Sequence, residues 1–231
     1  MCLTPLTHEM EMTEPASQLG AEIGAAKTCK WRNLSVAVWR PELRAAEVLR
    51  SAKGRGADWQ RLGFERERRQ YLYIEDALLL AERALLAVVD GAGESAEAVP
   101  LRRLWDFMAW EGVDLRCYLA YKHLREQGFI VRRCRPDYGV PRLFRAASAL
   151  DSAHGAAAFE VFAPRAGFSR ARPGPAAFVL LVCELDDPVP ELAQLAAVQR
   201  AAGADDLAAP PPQFKVCAVD SDGTALLFDV G

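Results

Sequence analysis

The stretch Leu115–Arg133, LRCYLAYKHLREQGFIVRR, decides the fold. Leu115, Leu119 and Leu124 lie on or near one helical stripe, with Tyr118 and Tyr121 beside it. Gly128 stands where a helix takes a left-handed residue in order to stop. Phe129, Ile130 and Val131 then run apolar, as a short buried strand does, and Arg132 and Arg133 follow at once. A helix that ends on glycine and feeds a strand is half of an α/β layer. Asp114 is the expected N-cap of this helix, and the strand is expected over Phe129–Val131.

On the C-terminal side, strands are expected at Phe159–Phe162, Phe178–Leu185, Phe214–Val219 and Thr224–Val230. The last two form a hairpin around Asp220-Ser221-Asp222-Gly223. A helix is expected over Val189–Ala202, a linker over 203–212 and a flexible loop over 134–155. On the N-terminal side, residues 1–28 read as a tail. Leu34–Val38 reads as a strand, Pro41–Ser51 as a helix started by Pro41, and Lys53-Gly54 as part of a basic turn. Further helices are expected over Glu75–Ala87 and Val99–Met108. The whole reads as α+β: a mixed α/β, winged-helix-like domain over 29–112, then a second domain with a mixed sheet over 113–231.

The chain has 231 residues, 51% of them hydrophobic and 26% charged, in the range of a folded globular protein. The net charge of −3 hides an asymmetry. Arginine is concentrated in 30–70 and 101–145, while the segment after Leu181 is mostly acidic. No apolar run is long enough for a transmembrane helix, and the first residues do not read as a signal peptide. Cys2, Cys29, Cys117, Cys134, Cys183 and Cys217 form no C-x-x-C pair and read as free intracellular thiols. With only His8, His123 and His154 beside them, they offer no metal cluster, and no cofactor is expected.

The pattern around Tyr118, Tyr121, His123-Leu124-Arg125 and Gly128–Arg133 resembles the tRNA-splicing endonuclease subunits, above all their largest, non-catalytic one. Four further blocks resemble the same family in the same order. They are Lys53-Gly54 with Trp59 and Leu62-Gly63; Tyr71-Leu72 with Glu75–Arg83; Phe159–Pro164 with Phe168–Arg170 and Pro173–Pro175; and Ala218–Asp220 with Gly223 and Phe228. The resemblance implies an endonuclease-like C-terminal domain and a nuclear, four-subunit assembly that cuts introns from precursor tRNA.

Such metal-free cleavage uses a base for the 2′-hydroxyl, an acid for the leaving 5′-oxygen and a cation for the phosphorane charge. The resemblance places the catalytic tyrosine, histidine and lysine of related subunits at Phe162, Pro175 and Gln213. None of the three can do that work, so the implied role is a structural subunit that holds a catalytic partner and positions precursor tRNA. Two alternatives stand beside it. One is an active endonuclease with a displaced set drawn from His154, Tyr138 and Lys215. The other is an unrelated RNA- or protein-binding adaptor. Arg102, Arg103, Arg116, Lys122, Arg125, Arg132, Arg133 and Arg135 are candidate phosphate contacts, since folded RNA is read largely through its backbone. The resemblance also implies two subunit contacts: the acidic turn at Asp220 and Asp222, and the terminal strand with Leu226, Leu227 and Phe228. That strand would be an open sheet edge without proline or lysine to blunt it.

Overall fold

A strand and a helix turned into two strands where the sequence suggests otherwise, and this shapes the first sheet. The computed structural model describes residues 34–52, 59–91, 97–134, 159–165, 168–187 and 213–230. The expected tail, the Lys53-Gly54 turn, the 134–155 loop after Cys134, the Val189–Ala202 helix and the 203–212 linker lie outside the described residues. Strand β1 (Ser35–Arg40) is followed by a turn in which Leu43 N–H donates to Arg40 O. Arg44 then takes a left-handed φ of 49°, and β2 (Ala45–Arg50) returns antiparallel to β1. The expected Pro41–Ser51 helix is therefore a hairpin arm. Proline fixes a φ that suits the second residue of a turn as well as the first turn of a helix. The Leu43, Ala46, Leu49 spacing mimicked a helical stripe, but Ala45, Ala46 and Glu47 are all buried.

A short 3-10 turn (Trp59–Arg61) leads into β3 (Phe64–Arg66) and β4 (Arg69–Leu72). Helix α1 (Ile74–Glu82) follows, then β5 (Leu86–Asp90), which lies parallel to β1. The expected Glu75–Ala87 helix thus ends early. Ala84 adopts φ 52°, and Leu85 N–H bonds to Leu80 O, so the helix closes on a left-handed residue that is not glycine. Alanine gives no stop signal in the sequence, which is why the leucine run reads through. With β6 (Glu97–Ala98), the first sheet has the order β3-β4-β2-β1-β5-β6. Its helical partners are α1 and α2 (Leu101–Trp110) rather than three short helices.

Helix α3 (Leu115–Glu126) behaves as its sequence dictates. Asp114 accepts the Arg116 N–H at 2.8 Å and grips the Arg116 guanidinium at 2.8 and 2.6 Å. That hydrogen bonding holds the Asp114 carboxyl below its ordinary value. Gly128 sits at φ 89°, with Gly128 N–H on Arg125 O and Phe129 N–H on Leu124 O, a Schellman closure. Strand β7 (Ile130–Arg133) starts immediately. The second sheet runs β11-β10-β9-β8-β7, from β8 (Phe159–Phe162), β9 (Phe178–Glu184), β10 (Gln213–Val219) and β11 (Ala225–Val230). Strands β9 and β10 are parallel and the other pairs antiparallel, so both sheets are mixed and the fold is α+β. Among the described residues, no helix is long and apolar enough to cross a membrane. Cys117, Cys134, Cys183 and Cys217 are buried free thiols.

From Leu34 onward the described residues pack as one unit. One hydrophobic cluster contains Ala37, Leu72 and Leu78 from the first sheet and α1, Tyr118 and Leu124 from α3, and Phe159, Leu180 and Cys217 from the second sheet. Inside it lies a charged clasp. Arg133 of β7 forks onto the Glu75 carboxylate of α1, whose side chain is 3% exposed, and also covers the Tyr73 ring at 4.2 Å. Asp76 accepts the Tyr121 hydroxyl and, at 3.0 Å, the Gly63 N–H. Gly63 is required there: at φ 54° a Cβ would meet Tyr71 O at 1.8 Å. Burial, and after it the Glu75 carboxylate, push the Asp76 carboxyl up from 3.8 to about 6, against the hydrogen bond from Tyr121. A second tie runs through Arg170, whose guanidinium donates to Leu62 O and Gln70 Oε1, both at 2.8 Å.

Two outcomes follow from the clasp. Arg133→Met strands a buried carboxylate and should cost about 3–5 kcal/mol in urea unfolding, most of it restored by adding Glu75→Leu. Equal losses in the single and double variants would show that the pair holds nothing together. For Asp76 the folded carboxyl binds its proton more tightly than the unfolded one. Its stabilising contribution is therefore full below the unfolded value and lost as pH rises through about 6. Asp76→Asn keeps partners for Gly63 and Tyr121 without the charge, so it should gain on the wild type between about pH 4 and about pH 7. A midpoint difference that does not change with pH would contradict this.

Candidate functional site

Register alone gathers one end of the second sheet. Strand β8 ends at Phe162, and Val161 pairs with Phe178, the first residue of β9. Ala177 N–H donates to Val161 O at 2.8 Å, which brings the Pro173–Ala177 turn to the same end. Gln213, the first residue of β10, pairs with Phe178 from the other side. Phe162, Pro175 and Gln213 thus come from three separate segments to one sheet end. Phe162 is buried, with its ring 5.5 Å from Phe168 and in a small cluster with Ile130. Pro175 and Gln213 are exposed. None of the three carries an ionisable side chain, so they offer neither base, acid nor cation to a reacting phosphate.

Lys215 lies two residues along β10, on the face of Gln213. Its ammonium is already paired with Asp229 at 2.7 Å and sits 5.1 Å above the Phe178 ring. His123 lies on α3, its ring nitrogen 2.7 Å from the Gln127 amide. His8, Tyr138 and His154 lie outside the described residues. Among the described residues no three His, Cys, Asp or Glu side chains converge as metal ligands.

Most of the described candidate phosphate contacts have partners within the chain. Arg116 bridges Asp114 and, at 2.6 Å, Glu184, and so ties the start of α3 to the end of β9. Lys122 pairs with Glu82 at 2.9 Å, and Arg125 donates to Phe129 O at 3.2 Å. Arg132 lies 6.0 Å over Phe162, and Arg133 is held in the clasp. Arg135 lies outside the described residues. Arg102 and Arg103 differ: both are exposed on α2 and neither has a carboxylate partner among the described residues. The Arg103 guanidinium lies 4.6 Å over the Trp110 ring and 5.6 Å over Phe107. Arg103, Phe107 and Trp110 follow an i, i+4, i+7 spacing, a signal present in the sequence but not used there.

Strand β11 is the edge of the second sheet, hydrogen-bonded to β10 on one side. Leu226 and Phe228 are 41% and 48% exposed, while Leu227 turns inward with Ala225 against the core. In the preceding turn Asp220 accepts Ser221 N–H at 2.6 Å and Asp222 accepts Thr224 N–H at 2.7 Å. The bond from the Thr224 backbone holds the Asp222 carboxyl below its ordinary value. Both carboxylates therefore shape the turn as well as charge it.

No curated protein matches the sequence. A family model does: residues 24–89 match the N-terminal domain of tRNA-splicing endonuclease subunit Sen54. The matched segment runs from before β1 nearly to the end of β5, and it contains Gly63, Glu75 and Asp76, the first-sheet half of the clasp. Over that segment the chain is similar to the N-terminal domain of the Sen54 subunits of tRNA-splicing endonuclease.

Proposed function

We propose that the chain is the non-catalytic, scaffolding subunit of a nuclear tRNA-splicing endonuclease. It holds a catalytic subunit within a heterotetramer and helps to position intron-containing precursor tRNA. The observation that carries this reading is the sheet end where Phe162, Pro175 and Gln213 converge, at the places the resemblance assigns to tyrosine, histidine and lysine. An RNA strand laid there would meet a proline and an amide over a buried phenyl ring. The base, acid and cation must come from another subunit. The displaced-set alternative would draw on a Lys215 that already pairs with Asp229.

The edge of β11 supports the holding role. An unpaired strand edge offers main-chain donors and acceptors that fix register, and the exposed Leu226 and Phe228 supply apolar area. Full burial of each contributes about 1.5–3 kcal/mol. The Asp220–Asp222 turn adjoins this strand and adds charge steering toward a basic partner surface.

The purified chain should not cleave intron-containing precursor tRNA, whereas the assembled complex should. Metal-independent cleavage by the chain alone, ending in a 2′,3′-cyclic phosphate, would overturn the proposal. Leu226→Asp with Phe228→Asp should abolish co-purification with the catalytic subunit while leaving the chain folded. Asp220→Asn with Asp222→Asn keeps the turn's acceptors, so it should preserve that pair but weaken tetramer assembly in salt. Retention of the full complex by both double variants would move the interface elsewhere.

A further inference from the structure

The outer face of α2 carries features that packing does not explain. Trp110 is 64% exposed, the most exposed of the large hydrophobic side chains described. It is nonetheless held in place. Its ring lies 5.6 Å from Phe107, which is itself stacked on Trp39 of β1 at 5.0 Å and 18°. The Arg103 guanidinium lies against both Phe107 and Trp110. Arg102 stands beside it, exposed and without a carboxylate partner among the described residues. The nearby Glu111 is half-buried and faces Arg44 at 3.7 Å, so it does not neutralise Arg102 or Arg103. The result is a ladder of planar groups that ends in solvent, flanked by two arginines that form no ion pair with a carboxylate among the described residues.

We propose that this face of α2 binds an unpaired nucleotide of the RNA, its base stacked on the Trp110–Arg103 platform and its flanking phosphates held by Arg102 and Arg103. An unpaired base has a free π face, whereas a base within a helix has both faces covered by its neighbours. Stacking on an aromatic ring tolerates any base, and arginine adds both a stacking plane and a phosphate contact. An acidic peptide would use the two charges and leave the indole without a role. Support from Phe107 and Trp39 fixes the platform before binding, so less freedom is lost when a base docks. This inference rests on the reading that the subunit contacts precursor tRNA.

The test uses the full chain assembled with its partner subunits and intron-containing precursor tRNA, with binding followed by fluorescence anisotropy over a range of salt. Trp110→Ala should weaken binding roughly 5- to 100-fold, with the salt slope unchanged. Trp110→Phe should keep most of the affinity. Arg102→Ala with Arg103→Ala should flatten the salt slope by about one to two, because up to two phosphate contacts are lost. Wild-type affinity in a folded Trp110→Ala complex overturns the site. So does loss of partner subunits from that variant, which would mark the face as a protein interface. If the wild-type complex fails to bind precursor tRNA at all, the RNA-positioning reading itself falls. If the wild type binds and the variants match it, only the stacking site falls.

Discussion

The Glu75–Arg133 ion pair, with Asp76 and Tyr121 beside it, is the constraint on which the rest of the structure depends. It lies between α1 of the first sheet and β7 of the second, in a core that is otherwise apolar. Charges removed from water are costly unless each is matched, and a matched pair tolerates little displacement. Hydrophobic contact alone would let the two layers slide. The fork from Arg133, the Tyr121 hydroxyl on Asp76 and the Gly63 N–H on the same carboxylate fix three segments against one another. Arg170 repeats the arrangement nearby through Leu62 and Gln70.

This clasp ties the second sheet to the first at one edge. Strand β7 is one edge of the second sheet and carries Arg133, while β11 is the opposite edge and carries Leu226 and Phe228. The sheet end with Phe162 and Gln213 lies between them by register. Anchoring at β7 leaves the β11 edge open for pairing, because an edge can accept a new strand without disturbing its own sheet. Charge is divided in the same way. Most of the basic residues between 102 and 133 have partners within the chain, and Arg102 and Arg103 on α2 form no ion pair among the described residues.

The local signals in the sequence were uneven. Asp114 and Gly128 bound α3 because a capping carboxylate and a left-handed glycine act within a single turn of chain. The strand from Phe178 was legible because it is buried on both faces and so continuously apolar. The 41–51 segment misled because proline suits both a turn and a helix start. Helix α1 misled because Ala84 takes a conformation that alanine does not advertise. At the site, the resemblance located Phe162, Pro175 and Gln213 one at a time. Arginines close in sequence were grouped as one surface, although successive residues of a strand or a helix point in different directions.

What the sequence determined by itself, then, was whatever depends on neighbours along the chain: the helix limits of α3, the apolar strands, the hairpin at 220–223 and the absence of ionisable groups at three aligned positions. Tertiary structure decided which charges are available. Arg133 and Arg103 look alike in sequence. One is buried because Glu75 waits across the core from a segment 58 residues away. The other stays in solvent, because its helix turns it onto Trp110 and it forms no ion pair among the described residues. A charge is free or bound according to partners distant in sequence, and only the packing of the two sheets brings those partners together.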